Sequence, residues 1–398
     1  MFKTISNLPR TVWLIGLISF VNDSASEMLY PLMPLYLASV LMAGPKALGI
    51  IEGVAEATSS IFKLISGVIV DRTKKAKPWI MLGYSLAGLG RPLIIFASSW
   101  VWVIAIRFMD RMGKGLRSSP RDALLAEIVH ENQRGLTFGL HRSMDNAGAV
   151  IGPILATLFL SQGVPLRDIF LWAILPGILT VLLTLGIKEP DRDMLPIAKQ
   201  FSWSLDGLTS PFKRYLIVAG IFTLGNSSDM FLLLRAKDAG VPQSEIPLLW
   251  AGISLITTLF GAPLSALSDQ FNRKHFILIA WGAFAFFYIA MGLPHISISH
   301  IVVLFIIYGL FKAATEGVEK ALVADYSPVG LAGKAFGWFN LITGIMLLPA
   351  SFIFGWLYEQ YAPLYAFLFS GFCASLAFVL LAFWVKTPSL IRHKDKAE

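Results

Sequence analysis

A single cysteine, Cys373, occurs in 398 residues, which excludes a disulfide framework and thiolate metal clusters. Charge is also scarce. Only 15% of residues are Asp, Glu, Lys or Arg, against about a quarter in a soluble domain. No G-x-x-x-x-G-K-[ST] loop is present, so direct use of ATP has no phosphate cradle. No Cys/His cluster has metal-ligand spacing, and no Ser/His/Asp or paired-His pattern supplies a nucleophile with its base. These absences point away from an enzyme, a bound cofactor and a resident metal.

Apolar length is abundant. Hydrophobic residues make up 56% of the chain and mean hydropathy is +0.67. The apolar residues fall in blocks near the ~20 residues that cross a bilayer as helix. Twelve blocks, centred near residues 25, 58, 88, 108, 147, 176, 224, 256, 284, 310, 345 and 375, predict an all-α, multi-pass membrane protein. The first block, from about Thr11, does not read as a cleaved signal peptide. It is too long, it holds Asn22, Asp23 and Glu27, and no small-residue cleavage site follows.

The net charge of +8 does not call for a nucleic-acid partner. With the N-terminus inside, the inner segments hold Lys3 and Arg10, Arg72 to Lys77, Lys188 to Arg214 and the basic tail. The outer ones keep chiefly Lys46, Arg167 and Lys237. This is the positive-inside bias of a multi-pass protein with both termini cytoplasmic. Trp100, Trp102 and Trp172 fall near span ends, as interfacial aromatics do.

The chain also repeats itself. Asp71, in Gly67-Val-Ile-Val-Asp71-Arg72, matches Asp269, in Ser265-Ala-Leu-Ser-Asp269-Gln, at an offset of 269 − 71 = 198. At the same offset Ala123-Leu-Leu-Ala-Glu127 matches Ala321-Leu-Val-Ala-Asp325, and Gly135-Leu-Thr-Phe138-Gly139 matches Gly333-Lys-Ala-Phe336-Gly337. A repeat of half the chain in an apolar sequence predicts two homologous bundles about a shared cavity. A polar stretch with Pro190, Pro196 and Pro211 divides them. The expected organisation is a six-helix bundle at 1–187, a cytoplasmic linker at 188–212, and a second bundle with a short tail at 213–398.

At this point the chain resembles the major facilitator superfamily over nearly its whole length. Gly67, Asp71, Arg72, Lys75 and Lys77 match the family's signature loop after span 2, and Asp269, Arg273 and Lys274 match its copy after span 8. The family's glycine in that turn is Lys74 here and Asn272 in the copy, so the first turn is expected to differ in shape. The resemblance implies two pseudo-symmetric six-helix bundles, spans 1, 4, 7 and 10 lining the cavity, and gating by Asp71, Arg72, Asp269 and Arg273. For Lys74, Lys75 and Lys77 ordinary topology suffices. Gly148, Gly152 and Pro153 in span 5 match part of the family's antiporter motif, although Ile154, Leu155 and Ala156 replace its further glycines. Close helix packing explains the same three residues.

Ionisable residues inside spans are expensive, about 2.5–3.5 kcal/mol each near the bilayer centre on insertion scales, and point to function. Asp23 and Glu27 share one face of span 1; His141 and Asp145 share one face of span 5. Asp23 leads as proton carrier, Glu27 follows, and Asp145 and His141 are further candidates. A position of His141 at the inner membrane interface is preferred over a relay. Arg107, Arg111 and Arg142, with Asn22, Asn226 and Asp229, are candidate substrate contacts, the bases facing the acids of span 1. The alternative is a static ion-pair network. Glu52 is expected near the outer surface. Lys312, Glu316 and Lys320 are four apart and neutralise each other along span 10. Arg121 and Glu319, equivalent by the repeat, are expected to pair as an inner gate. Tyr30, Trp250, Phe336 and Trp338 read first as packing or lipid contacts, and second as substrate contacts.

The expectation is a monomeric, proton-coupled transporter of a small organic solute in a bacterial inner membrane, with export by antiport favoured. Alternatives are uptake of an organic anion such as a metal chelate, direct metal-ion export, and a non-transporting sensor or scaffold of the same fold.

Overall fold

The computed structural model describes residues 8–73, 75–129, 134–189, 204–270, 272–315, 317–327 and 331–386. The side chains of residues 68, 71, 72, 134–136, 262, 265, 266, 269, 270, 332 and 333 are outside that description. The signature acids Asp71 and Asp269, with Arg72, Lys74 and Glu316, therefore lie outside the described side chains.

Twelve helical spans run antiparallel in sequence. The first half contains span 1 (10–39), span 2 (Pro45–Thr73), span 3 (Lys77–Phe96), span 4 (Trp100–Glu127), span 5 (Arg134–Ser161) and span 6 (Leu166–Leu185). The second contains span 7 (Ser210–Asp238), span 8 (Ile246–Gln270), span 9 (Arg273–Met291), span 10 (Ile298–Tyr326), span 11 (Ala332–Gln360) and span 12 (Pro363–Phe383). Eight described helices are long and apolar enough to cross a membrane. Spans 1, 2, 4 and 8 fall outside that set: span 8 is apolar over the shorter stretch Ile246–Gly261, and spans 1, 2 and 4 carry Asp23 and Glu27, Glu52 and Glu56, and Arg107, Asp110 and Arg111. An even span count puts the start of span 1, the 6–7 linker and the end of span 12 at one end of the bundle, here called the terminal end. The opposite end is the distal end.

The repeat survives in three dimensions. Span 4 begins 298 − 100 = 198 residues before span 10, and span 5 begins 332 − 134 = 198 before span 11. A helix break repeats too. Span 1 passes through a 3-10 turn at Tyr30–Leu32, where Pro31 and Pro34 remove backbone donors. The equivalent region of span 7 is broken between Gly225 and Met230. There Asn226, Ser227, Ser228 and Asp229 compete with the helix for backbone hydrogen bonds. The Ser351 hydroxyl receives the freed Ser228 N–H at 3.2 Å.

Lys77 and Lys274 have a structural duty beyond topology. Lys77 Nζ donates to Leu185 O at 2.9 Å, and Lys274 Nζ donates to Ala382 O at 3.0 Å and Val385 O at 2.7 Å. In each half the signature loop thus ties a cation to the carbonyl end of the sixth span, where the helix dipole is negative.

Span 5 packs along span 1, and span 11 along span 2. The 1–5 seam is a small-residue seam. A Cβ on Gly148 would lie 2.6 Å from Phe20 O, and one on Gly152 would strike Ser24 O and lie 2.6 Å from Met28 N. At the distal end the seam between halves is equally tight. A Cβ on Gly53 would meet Leu348 O at 2.9 Å, one on Gly355 would meet Pro45 O at 2.5 Å, and Gly49 faces Ser351 O. Glu359 Oε2 also accepts the Lys46 N–H at 2.8 Å. The distal third of span 1 packs on the distal piece of span 7 and on span 8. The two halves are therefore closed on each other at the distal end.

Candidate functional site

Charges concentrate at mid-bundle, between spans 1, 2, 3 and 4, and face spans 7, 8 and 10. Arg107 Nη2 meets Glu52 Oε1 at 2.5 Å and Arg107 Nη1 meets Asp110 Oδ2 at 3.5 Å. Arg91 Nε donates to Asp110 Oδ1 at 2.8 Å, and Arg91 Nη1 donates to Asn22 O and Oδ1, each at 3.2 Å. Arg111 Nη2 meets Glu56 Oε1 at 3.5 Å. These contacts overturn two expectations. Glu52 is fully buried, not near a surface. Arg107 and Arg111 are neutralised by span 2 rather than by the acids of span 1, so neither guanidinium is open to a solute in this conformation.

Removing one member of such a pair leaves a buried, uncompensated charge. Glu52→Ala is expected to lower stability by about 3–5 kcal/mol, read as a fall in the melting temperature of the purified protein. Glu52→Ala with Arg107→Leu should recover part of that loss. A double variant no more stable than the single one would show that the pair is not the cause.

The acids of span 1 have other partners. Asp23 Oδ1 accepts from Asn22 Nδ2 at 2.7 Å, and its carboxyl faces that of Asp145 within hydrogen-bonding reach. Among the described residues, Asp145 Oδ1 is buried without a hydrogen-bond partner. The basic groups that act most strongly on Asp23 are Arg117 and Lys114, not Arg107 or Arg111. One helical turn toward the terminal end, His141 Nε2 and Ser19 Oγ are 2.8 Å apart, and Ser19 Oγ lies 2.9 Å from Tyr84 Oη. Arg121 Nη1 donates to Ser19 Oγ at 3.4 Å. His141 is buried: span 5 turns both His141 and Asp145 onto span 1. Two carboxyls face to face repel when both are ionised, and a proton between them replaces repulsion with a hydrogen bond. The Asp23–Asp145 pair can therefore hold or release one proton and change how spans 1 and 5 fit.

Besides the Lys46 backbone N–H, two side chains of the first half bond to the second among the described residues: Glu52 Oε2 accepts from Ser228 Oγ at 3.3 Å, and Glu27 Oε2 accepts from Trp250 Nε1 at 2.8 Å. Tyr30 stacks on Trp250, with centroids 4.8 Å apart. Lys312 Nζ lies 5.2 Å from the Trp250 centroid and 2.6 Å from Asp229 Oδ2, and Tyr308 Oη donates to Asp229 Oδ1. Lys312 thus pairs across to span 7. The ladder expected along span 10 runs through Glu316, which lies outside the described residues. Asn226 sits in the span 7 break.

The predicted terminal gate is not formed in this conformation. Arg121 Nη2 pairs with Asp122 Oδ1 at 3.1 Å, while Glu319 Oε1 accepts from Trp281 Nε1 at 3.3 Å. Arg273 Nη1 binds Asp325 Oδ1 at 2.5 Å. Arg142 is exposed, in the electrostatic neighbourhood of Lys320. Among the described residues no group of three or more His, Cys, Asp or Glu is placed to hold a metal ion, so the metal-ion alternative gains no support. The sequence missed the distal seam of Gly49, Gly53 and Gly355. Its available signal was the small-x-x-x-small spacing Gly49/Gly53, opposed by Ser351/Gly355 in span 11.

A sequence model of the Major Facilitator Superfamily matches residues 15–234 and 215–398. An uncharacterized MFS-type transporter of Methanocaldococcus jannaschii is 32% identical over 387 residues, 94% of this chain and 95% of the relative. The multidrug resistance protein MdtH of Proteus mirabilis is 25% identical over 331 residues, 78% of each chain. The fold matches the crystal structure of a POT family transporter in complex with 5-aminolevulinic acid, with a TM-score of 0.80 at 14% identity, covering 95% of this chain and 96% of that one. Family and architecture together describe a multi-pass integral membrane protein that transports rather than catalyses. The chain belongs to the Major Facilitator Superfamily and is one of its secondary transporters.

Proposed function

We propose that the protein exports a small organic solute in exchange for protons by alternating access. The observation that carries this reading is the Asp23–Asp145 carboxyl pair on the 1–5 seam. The seam is packed without slack at Gly148 and Gly152, so gain or loss of a proton there is felt as a change in helix packing. The hydrogen-bonded Ser19, His141 and Tyr84 lie one helical turn from that pair on its terminal side, where an imidazole suits a proton relay. The likeness to a multidrug resistance protein supports the outward direction.

In this reading the halves at 1–187 and 213–398 rock as units about the 188–212 linker. The termini are cytoplasmic, the membrane is a bacterial inner membrane, and the working unit is a monomer. Glu27 and Trp250 link the halves beside the cavity, and Asn22, Asn226 and Asp229 lie around it. With its arginines internally paired, the mid-bundle site would meet a flat solute through half-buried Tyr30, which is backed by the buried Trp250 ring.

Everted membrane vesicles test direction and coupling together. Solutes offered outside should accumulate when the lumen is made acidic, and collapse of the gradient should stop it. Accumulation that ignores the gradient would remove the coupling. Trp250→Phe keeps the ring for Tyr30 but deletes the donor to Glu27. It is expected to slow transport by roughly 10- to 150-fold, the scale of one hydrogen bond to a charged group. An unchanged rate would show that this inter-half bond does not matter.

A further inference from the structure

We infer that the cleft at the terminal end is a built entry site for an anionic group, so that the transported solute carries a carboxylate, phosphate or sulfonate. This rests on the transport reading above and names the substrate class for that cavity.

Four cations step inward from the terminal end, one from each of four spans. At about 1.5 Å rise per residue, Lys320 is about 9 Å from its helix end, Arg142 about 12 Å, Lys63 about 15 Å and Lys114 about 20 Å. Lys114 is therefore at the middle of span 4 (Trp100–Glu127). All four side chains are exposed. Lys63 adjoins the residue after Lys114, since a Cβ on Gly115 would lie 3.0 Å from Lys63 N; across the halves Lys63 lies in the field of Lys320, and Lys320 in that of Arg142, with Asp122 acting on both lysines. The backbone agrees, since Ser119 Oγ donates to Lys63 O at 2.8 Å, and span 2 reaches span 11 one turn away, where Ser60 abuts Gly344.

The acids nearby are otherwise engaged. Asp122 pairs with Arg121 and Glu56 with Arg111. Glu27 accepts from Trp250, Glu319 accepts from Trp281, and Asp23 faces Asp145. Among the described residues, Lys63, Lys114 and Lys320 have no ion-pair partner. Positive-inside topology explains a cation at a helix end, but it has no use for one about 20 Å deep. An unpaired lysine at that depth is retained where it meets a solute. The distal end is sealed in the same conformation, so the cations face the side from which an exported solute enters. The ladder ends at Lys114, in the field of Glu27, the acceptor of the Trp250 N–H, so an anion attached to a flat apolar body would carry that body toward the Tyr30–Trp250 stack.

Three probes of one shape test this on the full-length protein in lipid nanodiscs, with empty discs as control: 1-naphthoate, 1-naphthamide and 1-naphthylmethylammonium. Equilibrium binding of the radiolabelled probes should favour naphthoate over naphthamide by about tenfold at low salt, and the preference should shrink as salt rises. Lys63→Gln, Lys114→Gln and Lys320→Gln together should reduce it to within about twofold, while the three Lys→Arg changes keep it. The inference is overturned if the cationic probe binds as tightly as naphthoate, or if the preference survives the triple Gln variant. Loss of proton-driven flux with the naphthoate preference intact would instead overturn the coupling proposed above and leave this site standing.

Discussion

Asp23→Asn is expected to reduce proton-driven accumulation by roughly 5- to 150-fold, the usual range for a coupling free energy of 1–3 kcal/mol, while solute counterflow without a gradient persists. Asparagine has the shape of a protonated aspartate and can donate to Asp145, which leaves Asp23 Oδ1's place for the Asn22 amide intact. The variant therefore holds the 1–5 seam as the protonated pair would, and Gly148 and Gly152 stay packed on span 1. Asp145→Asn should behave alike, because each carboxyl acts only through the other. Proteoliposomes with an imposed pH gradient measure accumulation, and equilibrated vesicles with labelled solute measure counterflow. Wild-type accumulation in Asp23→Asn would dismiss the pair as the coupling site. Loss of both activities would make it a structural element.

Gly53→Leu is expected to abolish transport while the protein still folds, by holding the distal end apart. The obstacle is backbone: Leu348 O at 2.9 Å and Leu348 Cα at 3.1 Å from the added Cβ. A side chain could swing aside, but a helix backbone cannot without moving span 11. Overpacking of this kind costs about 1–3 kcal/mol, enough to shift the balance between sealed and open distal ends by roughly 5- to 150-fold. Ser351 is buried in that seam and the sole native cysteine, Cys373, is buried elsewhere. Ser351→Cys therefore reports on opening, and its maleimide labelling in nanodiscs should be faster by a similar factor in the Gly53→Leu background. Unchanged labelling with transport lost would mean that Gly53→Leu damages something other than the gate.

The sequence by itself determined the scaffold. Apolar blocks of bilayer length can only be helices, because lipid offers backbone groups no partner, and the 198-residue offset carries over to the boundaries of spans 4, 5, 10 and 11. It also placed the costly charges in the first half and picked the glycines of span 5, which lie against span 1. Helical periodicity says which side chains share a face, but not which neighbouring helix that face meets. His141 and Asp145 were correctly put on one face, yet only packing turned them onto Ser19 and Asp23. Arg107 was expected to face Asp23 or Glu27 of span 1. The rotation and register of span 2 against span 4, set by close approach at Gly115 to Phe62 and Ser59, gave it Glu52. The same holds for Lys312: helical spacing offered it partners along span 10, and only the unwound turn of span 7 brought Asp229 to it. Charge pairing in a membrane bundle is decided at distances of 3–4 Å, and one step of helix rotation moves a side chain by more than that. The tertiary structure alone could choose among partners that composition and spacing left equal.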